Sequence, residues 1–402
     1  MTFDESSLYR IQSQVKGERK SLYDIANWKN GLAFKKIDFS DRGIPIIKIA
    51  ELNNGISSKT AFTQGNYGND VFLTNGDLVF SWSGNPQTSI DIYRYRLMDG
   101  WLNQHIFKVT PDEKTVDKDY FFYLMKYLKS NFTQIATNKQ TTGLGHVTIA
   151  DLKRLSVIIP ELAYQTRCMA PLKAIDDKIE SNSAINENLE QQAQAIFNET
   201  FIDRDTIPDN WSEASLLDIA EYLNGLAMQK YRPSGEEKGI PVLKIKELRQ
   251  GSCDASSELC SSNIKSDYII NDGDVIFSWS GSLLVDFWCG GTCGLNQHLF
   301  KVSSYKYDKW FYYAWTKHHL NKFIALASAM ATTMGHIKRT ELANSKVLIP
   351  NKEEYIRIGS IINPIYDLVI ANRVENMHLA KLRDTLLPKL MSGELDVSAV
   401  II

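Results

Sequence analysis

Two stretches of the sequence place polar side chains directly after a short apolar run. The first reads Trp-Ser-Gly-Asn-Pro-Gln-Thr-Ser from Trp82 to Ser89, and the second reads Trp-Ser-Gly-Ser-Leu-Leu-Val from Trp279 to Val285. Asn, Gln and Arg carry donors and acceptors that match the edges of nucleic-acid bases, and small polar groups suit phosphates. The candidates in and just after these loops are Ser83, Asn85, Gln87, Arg94, Ser280 and Ser282.

The aromatic residues beside these candidates have a structural interpretation. Trp82 and Trp279 each follow an apolar run typical of a buried strand, which favours core positions for both indoles over ligand contacts. His105 and His298 sit in apolar segments, and we predict that they are core histidines rather than ligands.

A second pair of loops carries Gly beside Thr, a combination that lets a phosphate approach the backbone closely. One loop runs from 139 to 146 and the other from 331 to 339. Their candidates are Lys139, Thr141, Thr142, Thr332, Thr333, Lys338 and Arg339. A tight turn into the helix-capping sequence Thr148-x-x-Asp151 is the structural alternative.

Motifs for catalysis are missing. A DNA methyltransferase has a loop with two adjacent prolines and a nucleotide-driven motor has Gly-x4-Gly-Lys-Ser/Thr, and the chain contains neither. The nearest match to a Mg²⁺-binding nuclease site is Asp209 with the segment 236–238, which is short enough to arise by chance. We predict no catalytic residue and no metal site, with Cys289 and Cys293 as reduced structural thiols.

The sequence contains an internal duplication. The stretch Asn-Gly-Asp-Leu-Val-Phe-Ser-Trp-Ser-Gly at 75–84 returns as Asp-Gly-Asp-Val-Ile-Phe-Ser-Trp-Ser-Gly at 272–281. Other motifs return in the same order, namely Ser-Leu-x-Asp-Ile-Ala (21–26, 215–220), Asn-Gly-Leu-Ala (30–33, 224–227), Gly-Ile-Pro (43–45, 239–241), Leu-Asn-Gln-His (102–105, 295–298) and Ile-Pro (159–160, 349–350). Aromatic helical segments begin near Asp119 and Asp308, which are placed as N-caps. A repeat this long indicates two globular copies rather than a stacked array.

Each copy is followed by a long segment with the 3/4 apolar spacing of helices that pair with one another. The seam positions are Ile175, Ile179, Asn182, Asn186 and Leu189 in the first segment, and Ile365, Leu368, Asn372, Asn376, Leu379 and Leu382 in the second. Asparagines inside such a seam cost stability but fix the register. The alternative, that these asparagines face solvent at a kink, stays open.

Composition narrows the class of protein. The chain has 402 residues, 44% of them hydrophobic, and a formal net charge of −2, which argues against a polycation that coats nucleic acid. No apolar run approaches the roughly 20 residues of a membrane span, and Met1 to Glu5 lacks a signal-peptide pattern. We expect a cytoplasmic protein with no membrane partner.

Taken together, these motifs and their order resemble the specificity subunit of type I restriction-modification systems. The resemblance extends from about Ser21 to Glu394. It implies an α+β fold with two similar globular target recognition domains separated by two long helices, which form an antiparallel coiled coil with pseudo-twofold symmetry. The predicted segments are 1–20 (N-terminal segment), 21–160 (recognition domain 1), 161–202 (central helix), 203–350 (recognition domain 2), 351–391 (C-terminal helix) and 392–402 (tail).

The resemblance also implies a function. Each domain would read one half of a split double-stranded DNA target. The helices would set the spacing and dock two methyltransferase subunits, through segments around 175–200 and 365–390, together with restriction (motor-nuclease) subunits. This chain would hold no cofactor, since S-adenosylmethionine, ATP and Mg²⁺ would belong to the partners.

Two rival functions stay open on the sequence alone. A stand-alone bipartite DNA-binding regulator would bind its target tightly without partners, which the near-neutral charge disfavours. An independent nuclease would cut DNA with a metal ion and would depend on Glu236.

Overall fold

The structure is a computed structural model that describes residues 12, 14–140, 143–329 and 336–397. The described residues form two compact units. Unit 1 contains the residues up to Asp176 together with those from Leu382 onward, and unit 2 runs from Asp177 to Lys381.

Unit 1 combines short strands with short helices. Its strands are β1 (Glu18–Ser21), β2 (Ala26–Asn30), β3 (Ile44–Ile47), β4 (Phe62–Thr63), β5 (Phe72–Leu73), β6 (Leu78–Ser81), β7 (Ser83–Gly84), β8 (Asp91–Arg94), β9 (Gly100–Leu102), β10 (Ile106–Pro111), β11 (Gly145–His146) and β12 (Ser156–Ile159). Its short helices are α1 (Ile49–Asn54), α2 (Lys118–Tyr127), α3 (Lys129–Asn138) and α4 (Ile149–Arg154), and three-residue 3-10 turns lie at Lys36–Asp38 and Asn69–Val71.

The long helix α5 (Leu162–Phe197) begins in unit 1 and ends in unit 2, where a π-helical turn (Asn198–Ile202) follows it. The strands of unit 2 are β13 (Ser212–Ser215), β14 (Glu221–Asn224), β15 (Ile240–Leu243), β16 (Leu259–Cys260), β17 (Ile269–Ile270), β18 (Val275–Ser278), β19 (Leu284–Phe287), β20 (Cys293–Leu295), β21 (Leu299–Ser303) and β22 (Lys346–Ile349). Its helices are α6 (Leu216–Ile219), α7 (Ile245–Gln250), α8 (Lys309–Ala329), α9 (Arg339–Ala343) and the start of α10 (Lys352–Ser392), with 3-10 turns at Met228–Lys230 and Ser266–Tyr268.

The two units share one sheet topology. Unit 1 has sheets of order β2-β10-β6-β8 and β4-β3-β9-β5, and unit 2 has β14-β21-β18-β19 and β16-β15-β20-β17. In both second sheets the central pair is parallel, with Ile46 opposite Trp101 in unit 1 and Val242 opposite Gly294 in unit 2. The predicted α+β fold with two similar domains is confirmed.

The repeated Gly-Asp explains why a strand starts at the same point in both copies. Gly76 and Gly273 adopt φ values of 91° and 85°, which a residue with a side chain rarely adopts. The next residue, Asp77, accepts a 2.8 Å hydrogen bond from the backbone of Thr74 and pairs at 2.8 Å with Lys108. Asp274 pairs at 2.9 Å with Lys301 in the same way.

The turns lead into strands β6 and β18, whose four residues are all buried. Phe80 of β6 meets the ring of Trp28 edge-on at 6.0 Å, and Phe277 of β18 meets Tyr222 at 6.4 Å. Each aromatic core therefore anchors the strand that delivers the predicted loop.

Helices α5 and α10 run antiparallel and contact each other within each unit. In unit 1, Arg383 donates to Asp176 at 2.9 Å, and the Cys168 thiol reaches the carbonyl of Leu390 at 3.6 Å. In unit 2, the amides of Asn182 and Asn186 are 1% and 5% exposed and bond to α10. The asparagines thus lie in the seam rather than at a solvent-facing kink.

The predicted stripe fits α5 better than α10. Ile175 is buried and Ile179 and Leu189 are half-buried on the seam side of α5. On α10, Leu368 and Leu382 are 45% and 47% exposed and lie outside the buried seam. Ile365 and Leu379 are half-buried, while the buried positions nearby are Ile362, Tyr366 and Val369. Adjacent apolar residues such as Leu368 and Val369 leave the helical face ambiguous, because both choices keep a 3/4 spacing.

Candidate nucleic-acid interface

The strand-end tryptophans combine a buried body with a bonded polar edge. Trp82 is half-buried against the core of unit 1, and its indole N–H donates to Oδ1 of Asn30 at 2.9 Å. Trp279 packs on the core of unit 2 and donates to Oδ1 of Asn224 at 3.0 Å. Each tryptophan ring thus packs on the core, as predicted, whereas its indole nitrogen lies at the surface.

In unit 1 the structure brings the two predicted loops together. Strand β7 pairs with β11, so Ser83 lies opposite His146 and Gly84 opposite Gly145. The backbone N–H of Val147 also donates to the carbonyl of Trp82 at 2.8 Å. A Cβ on Gly84 would lie 2.6 Å from Cβ of Ser89, so the turn requires glycine.

Unit 2 repeats this junction. Ser280 forms an isolated antiparallel bridge with His336, and Ile337 N–H donates to the carbonyl of Trp279 at 3.0 Å. In each unit, the described end of the second loop therefore lies beside the first loop, although about 50 residues separate the two loops in sequence.

The histidines beside the tryptophans correct a sequence prediction. His105 is exposed rather than in the core, and its ring meets that of Trp82 at 5.5 Å. His298 is half-buried, and its Nδ1 is buried without a hydrogen-bond partner among the described residues. Both were predicted inside strands, but Asn-Gln-His forms a turn, in which Ile106 N–H donates to Asn103 O at 3.2 Å.

The other polar candidates of these loops occupy different environments. Asn85 and Gln87 are exposed, and Oδ1 of Asn85 accepts the backbone N–H of Gln87 at 2.9 Å, which fixes the turn. Ser83 is half-buried, Ser282 is exposed and Ser280 is only 2% exposed. Asn85, Gln87 and Ser282 are therefore the candidates of this group with side chains open to a ligand.

Arg94 lies away from this surface. It stands opposite Leu78, at the start of β6, whereas the loop leaves from the other end of that strand. Its guanidinium donates to Asp119 at 2.6 Å and lies 4.3 Å from the ring centre of Phe122. Arg94 thus joins strand β8 to helix α2.

Lys139 is occupied by an ion pair. Its Nζ donates to Oδ1 of Asp151 at 2.6 Å, and Asp151 is only 4% exposed. Burial opposes ionisation of Asp151, but hydrogen bonds from Lys139 and Thr148 outweigh it and lower the pKa of Asp151 to about 2. The predicted capping sequence is present, since Thr148 and Asp151 form a capping box at the start of α4.

The remaining candidates border helix α9 or are not described. Lys338 is exposed just before α9, and exposed Arg339 donates to the carbonyl of Tyr222 at 3.2 Å. Thr141, Thr142, Thr332 and Thr333 lie outside the described residues.

Sequence reasoning missed the polar partners of the tryptophans, Asn30 and Asn224. The signal was available, because both belong to the duplicated Asn-Gly-Leu-Ala motif. Neither a metal site nor a membrane span appears in the parts of the chain that the structure describes: no cluster of His, Cys, Asp and Glu could hold a metal ion, and no helix is long and apolar enough to cross a membrane.

The chain is thus a duplicated α+β protein that presents the same loop junction once in each unit. Residues 15–191 and 208–376 each match the model of the type I restriction modification DNA specificity domain, so the chain belongs to that family. Its role is sequence-specific recognition of DNA, and it is not a catalytic subunit.

Individual relatives agree with this assignment. The chain is 27% identical over 325 residues to the type I restriction enzyme MjaIX specificity subunit of Methanocaldococcus jannaschii, which covers 73% of each chain. It is 23% identical to the EcoBI specificity subunit of Escherichia coli, over 63% of this chain and 59% of that one. The S subunit of a type I restriction-modification system from M. genitalium has a similar fold, with a TM-score of 0.54 at 14% identity, covering 94% of this chain and 96% of that one.

Proposed function

We propose that this chain reads a bipartite DNA target, one half through each recognition surface, as part of a type I restriction-modification complex. Unit 1 reads through the loop at 83–89 and residues of 139–146, and unit 2 through the loop at 280–283 and residues of 331–339. The chain docks two modification subunits, which supply S-adenosylmethionine-dependent methylation, and restriction subunits, which supply ATP-driven cleavage.

The contrast between common scaffold and divergent loops carries this proposal. Both loops leave buried strands of identical length and are held by the same tryptophan to asparagine bond. Between the end of β6 and the start of β8 lie residues 82–90, whereas only 279–283 separate β18 from β19. Surfaces built on the same frame but differing in loop length and chemistry suit two different base sequences.

The test of recognition is methylation mapping. The chain is co-expressed with modification subunits, and the methylated sites are read by sequencing. We expect Gln87→Ala to relax the sequence required in one half of the site and Ser282→Ala to affect the other half. Glu113→Ala, an exposed change in unit 1 away from these loops, is the control. Methylation at sites that share no bipartite sequence would contradict the proposal.

Docking is supported by apolar side chains on the outer faces of the long helices. In unit 2, Ile185 of α5 and Leu368 of α10 are 44% and 45% exposed. Exposed apolar groups on a helix pair suit a protein partner. We expect Ile185→Arg and Leu368→Arg to weaken co-purification of the modification subunits, while Ser181→Arg, at an exposed polar position of α5, leaves it unchanged.

A further inference from the structure

A lysine occupies the same position beside the recognition loop in each unit. Lys48 precedes α1 and Lys244 precedes α7, and each donates its backbone N–H to a glutamate three residues on, at 3.0 Å and 3.2 Å. The residue after each lysine lies under the loop glycine. Cδ1 of Ile49 is 3.7 Å from the position of a Cβ on Gly84, and Cδ1 of Ile245 is 3.8 Å from that on Gly281.

One backbone position beside these lysines has a charged side chain in unit 2 and an uncharged one in unit 1. Ile46 N–H donates to the carbonyl of Ala61 at 2.8 Å, and Val242 N–H donates to the carbonyl of Glu258 at 2.7 Å. These matching bonds show that Ala61 and Glu258 occupy the same place in the two sheets. A carboxylate in unit 2 therefore stands where unit 1 has a methyl group.

Glu258 forms ion pairs with two basic groups around it. It accepts hydrogen bonds from Nζ of Lys244 and, at 2.8 Å, from Nη2 of Arg232, and these bonds lower the pKa of its carboxyl. In the same loop, Asp254 pairs with Lys246 at 3.3 Å. The carboxylate of Glu258 is thus ionised at neutral pH and pairs with both cations.

Unit 1 has no equivalent acid at these two places. Ser57 stands in the position of Asp254, because the backbone N–H of each donates to a hydroxyl three residues on, at 2.9 Å and 3.0 Å. The ammonium of Lys48 lies 5.5 Å from the ring centre of Phe39. Exposed Lys36 begins the 3-10 turn just before Phe39, and exposed Lys35 is the N-cap of that turn.

We propose that unit 1 contacts DNA phosphates through Lys48 and the adjoining Lys35 and Lys36, while Glu258 withholds Lys244 and Arg232 of unit 2 from phosphate. The two recognition surfaces then contribute unequally to the salt-dependent part of the affinity. This inference rests on the proposed DNA-reading function. Its physical basis is that a phosphate loses its counterion when a protein cation pairs with it, and an ion pair with a carboxylate competes with that contact.

The test compares matched substitutions in the complex of the full chain with modification subunits. DNA affinity is measured against salt concentration. Each phosphate contact contributes roughly 0.9 to the slope of log affinity against log salt. We expect Lys48→Gln to flatten this slope by about 0.9, while Lys244→Gln leaves it unchanged. Glu258→Ala should steepen the slope by about 0.9 to 1.8 through the two released cations, and Ala61→Glu should flatten it.

A charge change elsewhere in unit 2 provides the control. Glu213→Ala frees Lys346, which pairs with Glu213 at 3.1 Å on the exposed β13-β22 ribbon, and should leave the slope unchanged. Equal slopes for Lys48→Gln and Lys244→Gln, or a Glu258→Ala slope no steeper than that of Glu213→Ala, would overturn the inference while the proposed function stands. Failure of the unaltered complex to bind DNA would overturn both.

Discussion

Asn186 and Asn372 are bonded to each other across the paired helices of unit 2, with Nδ2 of Asn372 donating to Oδ1 of Asn186 at 2.8 Å. One turn away, Nδ2 of Asn182 donates to Oδ1 of Asn376, also at 2.8 Å. Exchanging the two helices converts one bond into the other, because the first asparagine of each helix pairs with the second of its partner. This pattern fixes which turn of α5 faces which turn of α10.

Removing one amide from this seam should destabilise the helix pair. Asn186→Ala deletes the acceptor of Asn372 and the side-chain donor to the carbonyl of Val369, and leaves the half-buried Nδ2 of Asn372 without this partner. We expect a loss of about 1–3 kcal/mol in the free energy of unfolding, measured by urea denaturation. Ser181→Ala, at an exposed position of the same helix, should stay within about 0.5 kcal/mol of the unaltered chain. Equal midpoints for the two variants would contradict this role of the seam.

The seam also shows what sequence alone could establish. On α5 the 3/4 spacing predicted a seam through Ile175, Asn182 and Asn186, and a polar or charged residue follows each of them, but the spacing left open whether the asparagines face solvent. On α10 adjacent apolar pairs made the face ambiguous by one residue, and only packing against the core selected Tyr366 and Val369. Duplication revealed the fold, since each weak local signal occurred twice in the same order.

The candidate interface was less predictable, because the chemistry of an isolated side chain does not reveal its partner. Lys139 and Arg94 were chosen for their charge, yet each pairs with a carboxylate of its own unit. His105 was assigned to the core from its apolar neighbours, although it lies in an exposed turn. The helix N-cap was misplaced by two residues for a similar reason: Asp117, not Asp119, accepts the first N–H groups of α2.

The ion pair of Lys139 should make the stability of the chain sensitive to acid. The pKa of Asp151 is about 2 in the folded chain, against roughly 3.9 for an unfolded aspartate. A lowered pKa stabilises the fold above the unfolded value, and this stabilisation disappears as the pH falls from about 4 to about 2. We expect Lys139→Ala to cost about 1–2 kcal/mol at neutral pH, because the lysine is 34% exposed and partly screened.

Urea denaturation at several pH values measures this effect. The Lys139→Ala variant should lose less stability than the unaltered chain between pH about 4 and about 2. In that variant the pKa of Asp151 differs less between the folded and unfolded chain. Lys114→Ala, at an exposed position of the same unit, should follow the unaltered chain. Parallel curves for all three proteins would show that Lys139 does not set the ionisation of Asp151.

Arg373 joins a recognition sheet to the long helices of unit 2 through a forked contact. Its Nη1 donates to Asp286 of β19 at 2.6 Å, and its Nη2 donates to Glu190 of α5 at 2.7 Å. Arg373→Ala would leave two half-buried carboxylates without this cation, so we expect a loss of about 1–3 kcal/mol in urea denaturation. The stability of Arg373→Lys should lie between that of the unaltered chain and that of Arg373→Ala, because an ammonium lacks the planar fork that reaches both acids. Arg357→Ala, at an exposed position of the same helix, should change the free energy of unfolding little. If Arg373→Lys were as stable as the unaltered chain, the positive charge alone would account for this contact.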